Sequence, residues 1–300
     1  MPRLTRKINR LSGLFIATSL ALPVPAYELE IHGSNTVGAT LAPMLVTGYL
    51  KEKSNGKVSA KETGQENEQI VSAQVNSRPT EVLIAAHGSS TGFKALEAGQ
   101  ADIWASSRPV KPSEATQFRA RADLTALESE HVIAIDGLAV LVHPSNPVSQ
   151  MSIATLARVF SGQIRNWSEL GGSDRPIHLY ARDDRSGTWD TFKSLVLGKT
   201  HSLAGSAKRY ESNDQLSDDV SQDPAGIGFS GLASVRNSKL LAISEGNAPA
   251  LRPNQLTVAS EDYPLSRRLF MYTPGDQIPA LAKELIEFSL AEQGQALVAQ

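Results

Sequence analysis

The chain has 300 residues, of which 41% are hydrophobic, and its formal net charge is −2. This length accommodates one large or two ordinary domains with buried cores. The near-neutral charge excludes a general nucleic-acid binder, which needs a broad basic surface. The chain contains no cysteine, which excludes disulfides, a thiolate nucleophile and a cysteine metal site.

Residues 1–26 have the pattern of a cleavable signal peptide. A basic start precedes an apolar run over residues 11–22, and small residues stand just before Tyr27. The run is too short to span a bilayer comfortably, and a retained membrane anchor is the alternative. With no cysteine at the cleavage point, we expect no lipid anchor. We therefore expect a periplasmic or secreted protein whose mature chain starts near Tyr27.

Four predicted strands of the mature chain run directly into polar loops. The strands are predicted over residues 27–32, 82–86, 101–105 and 177–181, and the loops that follow are rich in Gly, Ser and Thr. In α/β sheets, ligands bind just outside the carboxyl ends of the strands. Such residues are also common in turns for other reasons, so a turn role is the alternative for any single loop. Four similar loops together predict one site for a small oxyanion.

The loop over residues 182–188 carries the clearest anion-binding pattern. Ser186, Gly187 and Thr188 lie where a strand is followed by a helix predicted over residues 189–197. The first N–H groups of a helix lack partners within it and carry the positive end of its dipole. A glycine allows close backbone approach, and hydroxyls donate to an anion. Arg182 adds a planar fork of donors, so this stretch predicts half of an oxyanion site.

A long apolar run suggests a hinge between two lobes. Residues 130–143 are apolar except at the start, at the end and at Asp136-Gly137, which favours a strand that leaves one lobe and enters the other. We also predict a helix over residues 151–160, strands over 226–230, 240–243 and 269–272, and a helix over 278–290. The apolar ending has no helix terminator, and a fragment of a longer protein and a complete chain are the two alternatives.

Five motifs resemble the phosphate-binding subunits of ABC-type phosphate transporters. They lie at residues 33–37, 88–94, 101–108, 160–167 and 182–188, and only the last two are specific by themselves. The resemblance covers nearly all of the mature chain. It implies the α/β, type II periplasmic binding protein fold of two lobes joined by hinge strands. We place lobe 1 at residues 27–136 plus 244–300 and lobe 2 at residues 137–243.

The resemblance also implies a set of phosphate-binding residues. The expected set is Ser34, Thr36, Val37, Ser89, Ser107, Arg182, Asp184, Ser186, Gly187 and Thr188. Within it, Asp184 is expected to hold Arg182. No metal site and no cofactor are expected, since the six histidines show no metal-ligand spacing.

Ser107 departs from the best-known branch of this family, where an aspartate accepts the proton of phosphate. A carboxylate there accepts protonated phosphate and repels sulfate, which carries no proton at neutral pH. Here Asp184, Asp102 or a serine oxygen has to take over that role. Phosphate remains the expected ligand, and sulfate and molybdate are the alternatives.

Two other classes of function are weaker alternatives. A hydrolase would need a base beside Ser186, but the sequence has no Gly-x-Ser-x-Gly elbow and no histidine at an interpretable position. The second alternative is a surface adhesion protein with the same fold. We expect a monomer that is not an enzyme and that serves phosphate uptake through ABC-transporter membrane subunits, or phosphate sensing. In some relatives a cell-wall-binding domain follows the last helix, and such a domain would be missing from this chain.

Overall fold

A computed structural model describes residues 27–54, 57–275 and 277–300. The predicted signal peptide lies outside these residues. None of the helices within the described ranges is long and apolar enough to cross a membrane.

Strands and helices alternate along the chain. The strands are β1 (Leu29–Gly33), β2 (Ser59–Glu62), β3 (Glu68–Val75), β4 (Arg78–Ala85), β5 (Ile103–Ser106), β6 (Glu130–Val142), β7 (Gln150–Ser152), β8 (His178–Arg182), β9 (Lys208–Tyr210), β10 (Gly226–Gly231), β11 (Lys239–Leu240), β12 (Ala242–Ser244) and β13 (Ser266–Tyr272). The helices are α1 (Ala42–Lys53), α2 (Ser89–Ala98), α3 (Pro112–Phe118), α4 (Ile153–Phe160), α5 (Gly187–Phe192), α6 (Asn213–Gln222), α7 (Gln255–Ala259), α8 (Ala280–Leu290) and α9 (Glu292–Val298).

Eleven of the described strands, from both lobes, form one continuous hydrogen-bonded sheet, and β7 and β12 form a separate parallel pair. The order of the large sheet is β2-β3-β4-β1-β5-β13-β6-β10-β8-β9, and β11 also pairs with β6. Strand β1 is parallel to β4 and β5, and β8 is parallel to β9 and β10. The carboxyl ends of β1, β4 and β5 therefore lie along the same edge in lobe 1, and those of β8 and β9 do so in lobe 2. The mixed α/β sheet confirms the predicted fold class.

Strand β6 crosses from one lobe to the other. Its first part pairs with β13 as far as Gly137, and its second part pairs with β10 from Leu138 onward. The single long strand predicted over residues 130–143 is confirmed, and its partner changes beside the predicted Asp136-Gly137 interruption.

The chain returns to lobe 1 later than predicted. Val258, Tyr263 and Leu265 pack in the same hydrophobic core as the lobe 2 residues Phe192 and Phe229. Residues 244–265 therefore stay with lobe 2, and the return falls where β13 begins at Ser266. The boundary predicted at residue 244 would separate these apolar side chains from the lobe 2 core in which they pack.

Each lobe has an aromatic or aliphatic core behind the loops that face the other lobe. In lobe 2, Phe192 at the end of α5 stacks on Phe229 of β10, with ring centroids 3.9 Å apart. In lobe 1, Leu29 and Ile31 of β1 pack against Leu45 of α1. Full burial of one such side chain contributes about 2 kcal/mol. This packing holds the ends of β1 and the start of α5 at defined positions.

Candidate functional site

Loops from both lobes meet at the carboxyl edges of their strands. Thr36 follows β1 in lobe 1, and Thr188 stands in the first turn of α5 in lobe 2. Their hydroxyl oxygens lie 3.0 Å apart, and both residues belong to the predicted set. Thr188 is fully buried, and Thr36 is partly buried. The structure thus brings together two hydroxyls that are 152 residues apart in the chain.

A second contact between the lobes involves Gly187. Ser89 starts α2 and Ser107 follows β5, and the Oγ of Ser89 accepts a hydrogen bond from the backbone N–H of Ser107 at 3.1 Å. A Cβ on Gly187 would lie 2.3 Å from Ser89 Oγ and 2.6 Å from Ser107 Oγ. Because neither distance is sterically possible, the close approach of the lobes here requires glycine.

The remaining loop residues of the predicted set are buried and make local hydrogen bonds. Ser34 Oγ accepts from the N–H of Val37 at 3.4 Å, and Ser186 Oγ caps α5 by accepting from the N–H of Trp189 at 3.3 Å. The exposed fractions of Ser34 and Ser186 are 1% and 2%. In these contacts both serines accept, so their hydroxyl hydrogens remain free to donate.

Arg182 lies at the end of β8 and is buried in the site. Its Nε donates to the carbonyl of Tyr210 at 3.2 Å, and its two other nitrogens donate to Asn213 Oδ1 and to the carbonyl of Glu211. Burial lowers the pKa of Arg182 to about 9, with nearby Asp183 and Glu211 acting to raise it and the positive charge of Arg267 acting to lower it. Because burial disfavours the charged form of Arg182, an anion in contact with the guanidinium group would stabilise that form.

Asp184 does not hold Arg182, and that part of the prediction is wrong. The Asp184 side chain is 87% exposed and pairs with Arg209 at 2.6 Å. The N–H of Ser186 donates to the carbonyl of Asp183 at 3.2 Å, which closes a turn. This turn directs Asp184 to solvent, whereas Arg182 points inward from the strand end.

Three residues outside the predicted set also contact the threonine hydroxyls or their partners. Asn213, the first residue of α6, donates from Nδ2 to Thr36 Oγ1 at 3.2 Å. Arg267 of β13 donates from Nη1 to Thr188 Oγ1 at 2.8 Å and from Nη2 to Thr36 Oγ1 at 3.3 Å. The carboxylate of Asp136 pairs with Arg267 at 2.6 Å.

Only Asp136 left a signal in the sequence, as the one charge inside an apolar run, and we had assigned it to the hinge alone. Arg267 is followed by a second arginine, Arg268, which is exposed. The sequence does not distinguish which of the two points inward. Asn213 follows a serine at a helix start, a pattern that indicates a cap but not a site.

Two clusters of charged residues bridge the lobes beside the site. His87, after β4, contacts Glu211 of lobe 2 at 2.8 Å and Glu68 at 3.0 Å. Arg108, after Ser107, pairs with Glu114 at 2.6 Å and with Asp190 of lobe 2 at 2.7 Å. Arg108 is only 4% exposed, so its side chain is buried between the lobes and not solvated. Both clusters connect charged side chains of one lobe to those of the other.

The described residues contain no group of three or more His, Asp or Glu side chains arranged to hold a metal ion. Hydroxyls, helix starts and buried guanidinium groups are instead suited to a small oxyanion. Two α/β lobes that meet through such groups define the class of two-lobed solute-binding proteins.

Comparisons with known proteins support this class. A family model described as a PBP superfamily domain matches residues 54–293. The phosphate-binding protein PstS of Bacillus subtilis (strain 168) is 29% identical over 215 residues, which are 72% of this chain and 67% of that protein. The phosphate-binding protein PstS of Pseudomonas aeruginosa (strain PAO1) is 30% identical over 244 residues, which are 72% of both chains.

A solved structure has the same fold. It is a putative phosphate ABC transporter substrate-binding protein with bound phosphate from Clostridium perfringens, with a TM-score of 0.71 and 25% identity. The match covers 90% of this chain and 96% of the other. The chain belongs to the PBP superfamily and, within it, to the family of the PstS phosphate-binding proteins. The predicted family resemblance is confirmed.

Proposed function

We propose that this protein binds inorganic phosphate between its two lobes outside the cytoplasm and serves phosphate delivery to an ABC transporter or phosphate sensing. The observation that carries the proposal is the meeting of Thr36 and Thr188, 3.0 Å apart, at the point where loops from both lobes converge. An anion that bridges the lobes favours the closed state, because only there do both sets of donors reach it.

The charge of the site supports an anion. The exposed fractions of Arg182 and Arg267 are 1% and 6%. Asp136 pairs with Arg267. Arg182 donates to neutral oxygen atoms of Tyr210, Glu211 and Asn213 in the described structure. Arg182 makes no ion pair among the described residues, and the ligand would neutralise its buried positive charge.

Phosphate is favoured over sulfate and molybdate by the names of the relatives. Proteins named phosphate-binding protein PstS match over 72% of this chain, and the related Clostridium perfringens structure has phosphate bound. We assign the ligand contacts to Ser34, Thr36, Val37, Ser89, Ser107, Arg182, Ser186, Gly187 and Thr188. Asp184 is left out because its side chain faces solvent.

The proposal includes export, a monomeric state and binding without catalysis. Export is supported by the signal-peptide pattern of residues 1–26. Binding without catalysis is supported by the hydrogen bonding of Ser186, whose Oγ accepts from the N–H of Trp189 and caps a helix. A nucleophilic serine would need a base in contact with that hydroxyl.

Calorimetric titration of the mature chain with phosphate, sulfate and molybdate tests the proposal. We expect phosphate to bind most tightly. The Arg182→Met variant, which removes the charge but keeps an apolar side chain in the buried space, should lose at least about tenfold in affinity. The Arg175→Met variant changes an exposed arginine away from the site and serves as the matched control. Tighter binding of sulfate, or full affinity in the Arg182 variant, would contradict the assignment.

A further inference from the structure

We propose that Arg267, held by Asp136, and Asn213 are positioning residues that fix the direction of the hydrogen bonds of Thr36 and Thr188. Thr188 then donates its hydroxyl hydrogen to the bound anion, and Thr36 donates its own either to Thr188 or to the anion. This inference rests on the proposed function. It adds to the site one residue from β13, one from the crossing strand β6 and one from α6.

The side-chain amide of Asn213 has one possible orientation. Its Oδ1 accepts a hydrogen bond from Arg182 Nη1, and a guanidinium group has donors but no acceptor. The other amide atom is therefore the nitrogen. That nitrogen lies 3.2 Å from Thr36 Oγ1 and can only donate to it.

Thr36 consequently cannot accept a further hydrogen bond. A hydroxyl oxygen has two lone pairs and one hydrogen. Two obligate donors point at Thr36 Oγ1, the Asn213 amide nitrogen at 3.2 Å and Arg267 Nη2 at 3.3 Å. Both lone pairs are then used, so the hydrogen of Thr36 must be donated, either to Thr188 Oγ1 at 3.0 Å or to a ligand.

The same argument applies to Thr188. Its Oγ1 accepts from Arg267 Nη1 at 2.8 Å, and Thr36 is available only as a donor to it. The Thr188 hydrogen therefore points away from Thr36 and is free for a ligand oxygen. The hydrogen bonds run in one direction, from Arg182 through Asn213 and Thr36 to Thr188.

Asp136 keeps Arg267 in place. Its Oδ2 accepts from Arg267 Nε at 2.9 Å and from Nη2 at 2.6 Å, and its Oδ1 accepts from the N–H of Leu232 at 3.2 Å. Asp136 lies next to the residue at which β6 changes partner, and Arg267 lies on the adjacent β13. One guanidinium at the hinge thus reaches Thr36 of lobe 1 and Thr188 of lobe 2.

This direction determines where a protonated ligand oxygen can lie. The hydroxyls of Thr36 and Thr188 can only donate hydrogen bonds to a ligand, so a ligand oxygen that contacts them is unprotonated. On the other side, Ser107 Oγ lies 3.4 Å from Ser89 Oγ and retains the capacity to accept. The proton of hydrogen phosphate therefore faces the Ser89 and Ser107 hydroxyls, where no carboxylate is needed to receive it.

The test uses the double variant Asp136→Asn with Arg267→Gln in the full chain. Both charges are removed together, so no buried charge is left unpaired. The introduced glutamine carbonyl can accept from Thr188, and the direction of the hydrogen bonds is lost. In calorimetric titrations we expect phosphate affinity to fall by about tenfold to hundredfold. The melting temperature without phosphate reports whether the variant is folded.

A conservative variant separates positioning from a purely structural ion pair. Arg267→Lys keeps the charge next to Asp136, but a single ammonium cannot reproduce the planar fork that spans both threonines. We expect it to lose at least about tenfold in phosphate affinity. Arg268→Gln, an exposed neighbour that pairs with Glu261, is the matched control and should bind phosphate as the wild type does.

The outcomes distinguish this inference from the proposed function. A wild-type protein that does not bind phosphate overturns both. A wild-type protein that binds phosphate, together with a folded double variant or Arg267→Lys variant of unchanged affinity, overturns the inference alone. Thr188→Ser should retain affinity and Thr188→Val should lose it, and equal affinities of these two variants would count against both the inference and the assignment of Thr188 as a ligand contact.

Discussion

Glycine at position 187 is what allows the two lobes to touch. The site it occupies is bounded by the hydroxyl oxygens of Ser89 and Ser107, both of which would lie closer than 3.0 Å to an added Cβ. The residue was predicted because glycine lets a backbone approach a ligand. In the structure its smallness serves the approach of the opposite lobe as well.

We therefore expect Gly187→Ala to weaken phosphate binding by at least about tenfold, because the methyl group obstructs closure. The melting temperature without phosphate should change little, since the open lobes can accommodate the methyl group. Gly205→Ala is the matched control, because a Cβ there meets no atom within 4 Å. Calorimetric titration of both variants checks this, and a Gly187→Ala protein with wild-type affinity would contradict the closed geometry.

The loop after β4 contacts the segment between β9 and α6, and this contact depends on the protonation of His87. His87 from the first element lies between Glu211 from the second and Glu68 of β3. The charged group facing this cluster from the loop after β8 is Arg185, which pairs with Glu211 at 2.5 Å. When protonated, His87 connects carboxylates of both lobes.

The expected pH dependence follows from the pKa shifts. Burial lowers the pKa of His87, but its hydrogen bonds with Glu211 and Glu68 outweigh burial, and the pKa lies above the ordinary 6.5. The cluster then stabilises the folded state fully below pH 6.5, and this contribution is lost as the pH rises through the raised value. Burial raises the pKa of Glu211, but His87, Arg185 and Asn67 together lower it below 4.5. The contribution of ionised Glu211 to the stability of the folded state is therefore present above pH 4.5 and is lost as the pH falls through the lowered pKa.

Melting temperatures of the wild type and of His87→Gln, measured at about pH 6 and about pH 8, test this cluster. We expect the wild type to lose more stability than the variant between the two values, because glutamine does not titrate. Identical pH dependence in the two proteins would show that His87 does not stabilise the closed structure.

At the scale of the whole molecule, the chain crosses between the lobes at two adjacent strands. Strand β6 changes partner between Gly137 and Leu138, and β13 returns the chain to lobe 1. A Cβ on Gly137 would lie 2.8 Å from Val258 Cγ2, so the crossing is tightly packed on one side. We therefore expect any movement of one lobe relative to the other to occur through small changes at these two strands.

Ligand binding to the closed state should stabilise the molecule as a whole. At a phosphate concentration of about 100 times the dissociation constant, the gain is about 2.7 kcal/mol, which corresponds to a rise in melting temperature of about 5 °C. Small-angle scattering should show a smaller radius of gyration with phosphate. Chloride at equal ionic strength is the control, and an equal shift with chloride would exclude a specific anion site.

The elements that local pattern specifies were predicted correctly. Strand β6, the strands that end in polar loops and helix α4 all follow from hydrophobic periodicity, and Ser152 caps α4. The hairpin of β2 and β3 was missed, because β2 is exposed along its whole length and has no apolar alternation. Periodicity reports burial, so an exposed edge strand leaves no signal.

By itself, the sequence determined which loops carry hydroxyls, glycine and Arg182, because strand ends and helix starts are encoded within a few residues. Only the tertiary structure decided that Arg267 and Asn213 face Thr36 and Thr188, that Asp184 turns to solvent, and that the chain returns to lobe 1 at Ser266. These outcomes depend on contacts between residues far apart in the chain, and their energies are set by burial and pairing in the folded molecule. No local pattern of residues records them.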